Sequence, residues 1–410
     1  MAADELFDAY SPAFVENPYP TFSTLREQAP IFYSAEWGVT FFTLHEDVSG
    51  ILKDRRFGRD VRHAVPTEEV DQEVFERIYP SQYPNWTYYT REAFIDLEPP
   101  AHTRLRRLVQ HAFTRRASSS YRPRLEAAAA ALLDRALASG AMEAIADYAT
   151  PIPLAMISEL MGIPAEDQAE LVTWSHAMVR VFDKACTAEE GERAERATID
   201  FADYIRAQLE ARRHSGGDDL ITALLEAEVE GDRLTDDEII ATAILTLNAG
   251  HEATVQAIGN GLLALARFPG QYERLRREPD LIGPAVDELL RFDTPLLMFE
   301  RWVLEDLEWK DVQLKRGTKV GLLLGSANHD EAVFKKPASL DLGRTPNPHV
   351  SLGAGIHYCV GAPLAAVELQ VAFAEFAKRV TGFNIESEEL PRVPSLIFRG
   401  VSRLDLSLSA

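Results

Sequence analysis

Ser351-Leu-Gly-Ala-Gly-Ile-His-Tyr-Cys-Val-Gly361, followed by Ala362-Pro363 and a helical run, is the most informative stretch of the 410-residue chain. Three glycines bracket one cysteine. Glycine permits close backbone approaches closed to other residues, so amide N–H groups can point at the Cys359 sulfur. Pro363 suits the first turn of a helix, whose positive end favours a thiolate. The stretch reads as a nest for an anionic sulfur, either a catalytic nucleophile or an iron ligand. An arbitrary lone cysteine is more often a small buried hydrophobe; the surrounding glycines reverse that expectation.

Neighbouring segments point the same way. Glu288-Leu-Leu-Arg291 puts two charges on one helix face, and Leu340-Asp-Leu-Gly-Arg344 brings a further arginine about fifty residues later. In Pro99-Pro-Ala-His-Thr-Arg-Leu-Arg-Arg-Leu108, His102 and Arg106 also share a face. These segments together resemble the cytochrome P450 family of haem-thiolate monooxygenases, whose cysteine loop reads Phe-x-x-Gly-x-x-x-Cys-x-Gly. Gly355, Cys359 and Gly361 match, and Leu352 stands where phenylalanine is usual. The resemblance extends from about Asp96 to Arg399. It implies that Cys359 is the axial iron ligand of haem b (iron protoporphyrin IX) and that His102, Arg106, Arg301 and His357 hold its propionates. It also implies a buried network of Glu288, Arg291 and Arg344 near the thiolate side.

Thr235-Asp-Asp-Glu238 is a capping-box signature, and the helical pattern then runs to about Phe268, roughly 50 Å at 1.5 Å per residue. From Ile239 to Gly250 no charge appears on any face, so this helix reads as buried all round. In its middle, Asn248-Ala-Gly-His-Glu-Ala-Thr254 contains a small Ala249-Gly250 step that leaves space for a diatomic ligand and for local widening of the helix. The resemblance implies the oxygen-activating helix, with the pattern Ala-Gly-x-(Asp/Glu)-Thr, and places Ala249 and Gly250 against the haem. Glu252 fills the acid position, but Ala253 stands where the alcohol normally is. Oxygen activation needs protons. Glu252 is therefore expected to admit them, with substrate or water standing in for the missing hydroxyl. Thr254 is the nearest alcohol, turned ~100° around the helix, and its hydroxyl is expected to bond back to the Gly250 carbonyl.

Helical spacing puts Leu245, Asn248, Ala249 and Ala253 on one face, which would look toward substrate. Asn248 can bond either a substrate oxygen or a neighbouring carbonyl. The resemblance adds Leu297, Leu396, Ile397 and Phe398, and the aromatic-rich, turn-rich region from Phe75 to Phe94. The expected cavity is mostly apolar with a few polar anchors.

Composition sets the boundaries. Lys+Arg 42 against Asp+Glu 64 gives a net charge of -22, which argues against nucleic-acid and anionic-lipid partners. Two cysteines cannot build a disulfide framework, the first residues lack signal-peptide character, and no apolar run approaches the ~20 residues that cross a bilayer. A cytoplasmic protein is expected. The fold class is mainly α with a minor sheet region: one domain over 1–410, β-rich at about 1–95 and 295–325, helical over about 96–292. The resemblance implies O2 as co-substrate and a separate ferredoxin and ferredoxin reductase. It also implies that the segments carrying Arg104, Arg107, Arg115, Arg116, Lys335, Lys336 and Arg344 approach the thiolate side, as a candidate basic docking island. The expected reaction is hydroxylation or oxidative demethylation of an apolar small molecule. A haem-binding sensor or carrier, a peroxide-driven enzyme and a thiol enzyme are the alternatives.

Overall fold

A computed structural model describes residues 6–229, 232–387, 389–392 and 394–410. Helices dominate, and six of them frame the site: α1 (Ala101–Val109), α2 (Pro151–Met161), α3 (Gln168–Val179), α4 (Asp236–Arg267), α5 (Ile282–Phe292) and α6 (Ala362–Arg379). Helix α4 starts at the expected box, where the Thr235 hydroxyl accepts from the Glu238 N–H and the Glu238 carboxylate accepts from the Thr235 N–H. Its apolar stretch from Ile239 to Ile244 is buried. Helices α2, α3, α5 and α6 pack around it, so a helix with no polar face becomes the central rod.

The rod is an uninterrupted α-helix, without the local widening expected at Ala249-Gly250. The missing side chain of Gly250 serves packing instead: a Cβ there would lie 2.4 Å from Cδ1 of Ile157 on α2.

A five-stranded sheet flanks the helices, in the order β1 (Ile31–Ser34), β2 (Val39–Phe42), β5 (Lys319–Leu323), β4 (Met298–Val303), β3 (Phe57–Gly58). The β2–β5 pair is parallel and the others antiparallel. In β4 and β5, Arg301 pairs with Val320 and Trp302 with Lys319. The N-terminal portion is less β-rich than its composition suggests. Outside β1, β2 and β3 it is largely helical, with Tyr19–Gln28, His45–Ile51, Gln72–Ile78 and Pro84–Glu92 as helices. Phe75, Trp86 and Tyr89 fill the buried faces of the last two. Tertiary burial therefore overrides the strand preference of aromatic residues. Among the described residues, no helix is long and apolar enough to cross a membrane.

Candidate functional site

The cysteine loop is shaped by Gly353 and Gly355, both at φ 70°. A Cβ on Gly355 would lie 2.3 Å from the Leu52 carbonyl oxygen, so the loop can approach that backbone only through glycine. The Cys359 N–H donates to the Leu352 carbonyl at 3.0 Å. The Cys359 sulfur accepts from the amides of Gly361 and Ala362 at the start of α6. Burial pushes the thiol up, while those amides and Arg106 pull it down. The sulfur thus sits in a dry place with donors already aimed at it.

Beneath the loop lies the expected ion network. Arg291 donates to Glu288 from Nε at 2.7 Å and from Nη2 at 2.8 Å, and both side chains are buried. Arg344 adds a bond from Nε to Glu288 at 2.9 Å. Removing one member of such a buried set costs ~3–5 kcal/mol. Arg344 is consequently a structural charge and not part of a docking surface. Arg104 likewise leaves the proposed island, because it is paired with Asp232 and with Glu238 of α4.

Cys359 opens onto a cavity of about 390 Å³ whose wall is largely apolar. Arg106, Arg301 and His357 reach its lining from three separate elements. His102 stands one layer back, its ring 4.6 Å from that of His357. Both ring nitrogens of His102 and Nδ1 of His357 are buried without a hydrogen-bond partner among the described residues. Burial first, then His357 and Arg106, push His102 down to about 4. Arg301 is 3% exposed and forms no ion pair among the described residues. Its Nη1 donates to the Glu300 carbonyl, and burial together with Arg59 pulls it down to about 9. Glu98 and Asp96 offset only part of that cost, so the buried cation is left short of a direct partner. A group carrying carboxylates and a thiolate-seeking metal, such as haem, fits this unfinished donor set.

The face of α4 behaves largely as its spacing suggests. Leu245, Asn248, Ala249, Gly250 and Ala253 line the cavity. Among the described residues Asn248 bonds no helix carbonyl; its Nδ2 lies 4.0 Å from Met178 Sδ and its buried Oδ1 has no partner there. Thr254 departs from expectation: it also lines the cavity, and its hydroxyl shows no bond to the Gly250 carbonyl. Such back-bonds do occur in the same helix, at Thr242 and Thr246. Glu252 does not line the cavity. It is buried toward α3, where Oε1 lies 3.1 Å from Nε2 of the half-exposed His176.

Among the other substrate candidates, Ile397 and Phe398 line the cavity. Leu297 and Leu396 do not; both pack with Phe14 and Phe22 on the far side. Leu296 and Met298 line the wall in place of Leu297. The segment is extended here, Leu296 bridging Phe398 and the Leu297 N–H donating to the Ile397 carbonyl, so alternate side chains face opposite ways. From the aromatic region, Tyr79, Tyr89 and Phe94 reach the cavity, whereas the Trp86 indole N–H is tied to the Met178 carbonyl at 2.9 Å.

Sequence reasoning passed over several cavity residues. Arg59 lies beside Arg301 and bonds Asp96 from Nε at 2.9 Å. Arg77 and Lys319 both grip Glu300, and despite its burial they hold that carboxyl down to about 2. Glu368 of α6 is buried on the wall and pushed up to about 8 by burial. For Glu368 a signal existed, a lone acid within Leu364-Ala-Ala-Val-Glu-Leu-Gln-Val371. The three cations had none, since the tertiary packing of the helix bearing Arg77 against the sheet brings them together.

The cytochrome P450 family model matches residues 69–393. The chain is 35% identical to the polyketide biosynthesis cytochrome P450 PksS of Bacillus subtilis (strain 168), over 98% of this chain and 99% of that protein. It is also 35% identical to the vitamin D(3) 25-hydroxylase of Pseudonocardia autotrophica, covering 98% and 97%. Among solved structures it resembles P450BioI in complex with acyl carrier protein ligated with hexadec-9Z-enoic acid, with a TM-score of 0.89, 31% identity and coverage of 97% and 99%. A myxobacterial CYP267B1 in complex with myristic acid matches with a TM-score of 0.88 at 33% identity, covering 98% of each chain.

Proposed function

Because the chain belongs to the cytochrome P450 family, and is therefore a haem-thiolate monooxygenase using O2 and electrons from redox partners, we propose that it holds haem b in the cavity described and hydroxylates an apolar small molecule there. The observation that carries this reading is the opening of a donor-cradled cysteine sulfur onto one apolar cavity. When bound, thiolate-ligated haem supplies the oxygen activation, the sulfur's electron density favouring O–O cleavage. Residues of the chain supply the rest. Cys359 would be the iron ligand, and Arg106, Arg301 and His357 would hold the carboxylates, with His102 backing His357. Ala249 and Gly250 keep the adjacent face of α4 small.

Proton supply falls to Glu252, on the side of α4 toward His176. The Thr254 hydroxyl, free of its own helix and facing the cavity, orients water or a substrate hydroxyl where Ala253 offers none. Asn248 presents an unpartnered acceptor above an apolar wall, which suits an apolar substrate bearing one hydrogen-bond donor. The long apolar molecules named for the fatty-acid-bound neighbours support that class. An O-methyl group held at the same place would undergo oxidative demethylation. Electrons come from a separate ferredoxin, served by its reductase and docking at the exposed Arg107, Arg115, Arg116, Lys335 and Lys336, of which Arg115 lies near the exposed Tyr358.

The test is spectroscopic and then chemical. The reduced protein under carbon monoxide should show the long-wavelength band of thiolate ligation, and Cys359→Ser should abolish it. A panel of fatty acids, sterols and polyketides is then screened for a low-spin to high-spin change. Binders are incubated with O2, ferredoxin and reductase and should yield products with one added oxygen atom. A wild-type spectrum without that band, or no oxygenated product from any binder, would refute the assignment.

A further inference from the structure

His176 on α3 and the adjacent His251 and Glu252 on α4 lie outside the wall of the cavity onto which Cys359 opens. Their nearest ligand atoms, one from each residue, all fall within 4.8 Å of one another. Glu252 Oε1 is 3.1 Å from His176 Nε2 and 3.4 Å from His251 Nδ1. In tetrahedral zinc, with bonds of about 2.1 Å, neighbouring ligand atoms stand roughly 3.4 Å apart. Two of the three separations therefore already match a shared ion. The third needs only a side-chain adjustment, for which the exposed His176 ring is free.

His251 supplies an independent observation. Its side chain is 1% exposed, yet neither ring nitrogen has a hydrogen-bond partner among the described residues. An imidazole left so in a dry interior is costly, and an ion is one of the few things that satisfies it. The chemistry of the set is selective as well. Two imidazoles and one carboxylate suit zinc and its transition-metal neighbours, whereas magnesium and calcium prefer all-oxygen shells. With three protein ligands, a fourth position stays open toward solvent on the His176 side, which is the path by which an ion would arrive.

We propose that His176, His251 and Glu252 form a binding site for a divalent transition metal of the zinc class, distinct from the haem site. Its occupation takes the Glu252 carboxylate out of proton supply, so the metal acts as a brake on turnover. This last consequence rests on the role given to Glu252 above; the binding site does not.

The experiment titrates tag-free, haem-loaded protein with zinc chloride by calorimetry, in excess magnesium to mask surface carboxylates. One zinc ion per chain should bind with a Kd of about 1 µM or tighter. His176→Gln, a surface change, should weaken binding by roughly tenfold or more while the carbon monoxide spectrum stays that of wild type; His251→Gln should do the same if it folds. Absence of zinc binding, or a His176→Gln variant that binds as tightly as wild type, overturns the site. In a separate arm, zinc should lower wild-type product formation and EDTA should restore it. Zinc that binds without slowing turnover would remove the brake and leave both the site and the oxygenase reading standing.

Discussion

Arg301 shows how one side chain can announce an absent partner. Its neighbours Arg77 and Lys319 share the Glu300 carboxylate, but Arg301 makes no ion pair among the described residues, and burial pulls it down to about 9 despite Glu98 and Asp96. Ala253 carries the other consequential choice at this scale. Placing a hydroxyl there should alter proton supply, so Ala253→Thr should change the fraction of reducing equivalents recovered in product, measured as product formed per NADPH consumed. An identical ratio for every substrate would mean that Thr254 and Glu252 already suffice. Glu368 gives a pH prediction. Its folded value of about 8 lies above the ordinary 4.5, so between these limits the folded chain keeps a proton that the unfolded chain has released. Its contribution to stability is fully present below about pH 4.5, declines across that window and is gone above about pH 8. Glu368→Gln should flatten that decline in thermal unfolding midpoints, and should leave the variant more stable than wild type at pH 8.

Two glycines separate the roles of elements. In the cysteine loop, Gly355 combines a positive φ with a backbone oxygen 2.3 Å from any added Cβ. Backbone does not yield, so Gly355→Ala should lose about 2 kcal/mol or more in denaturant unfolding and reduce haem retention. In α4, a Cβ on Gly250 meets only the tip of Ile157. There a clash of ~1–3 kcal/mol is set against ~1 kcal/mol of improved helix propensity. Gly250→Ala should therefore cost about 0–2 kcal/mol of stability, while pushing Ile157 into the cavity it lines and weakening bulky ligands in spin-state titrations. The strand region made the opposite kind of distinction. Leu297 and Leu296 are chemically alike, and only the bridge to Phe398 decides which of them faces the cavity.

Over the whole molecule, a net charge of -22 makes the surface repel an acidic partner except where cations collect. Arg115 lies near the exposed Tyr358, next to Cys359 in the chain. Arg115→Glu with Arg116→Glu should slow reduction by ferredoxin several-fold at low salt and flatten its salt dependence, with spin-state titrations unchanged; equal stopped-flow rates would move the docking face elsewhere. The mainly helical class, the rod capped at Thr235, the Glu288–Arg291–Arg344 network and the sulfur nest at Cys359 were all legible in the linear chain. The helical class and the cap are written in local pattern, periodicity and capping chemistry, and the nest in its glycine spacing; the network was implied by the resemblance to the family's ordered motifs. The cluster of Arg59, Arg77 and Lys319, the inward turn of Leu296, the freed Thr254 hydroxyl and the meeting of His176 with His251 were settled by tertiary structure alone. They depend on strand register and helix packing between segments far apart in sequence, and no local propensity records which side chains such contacts will bring together.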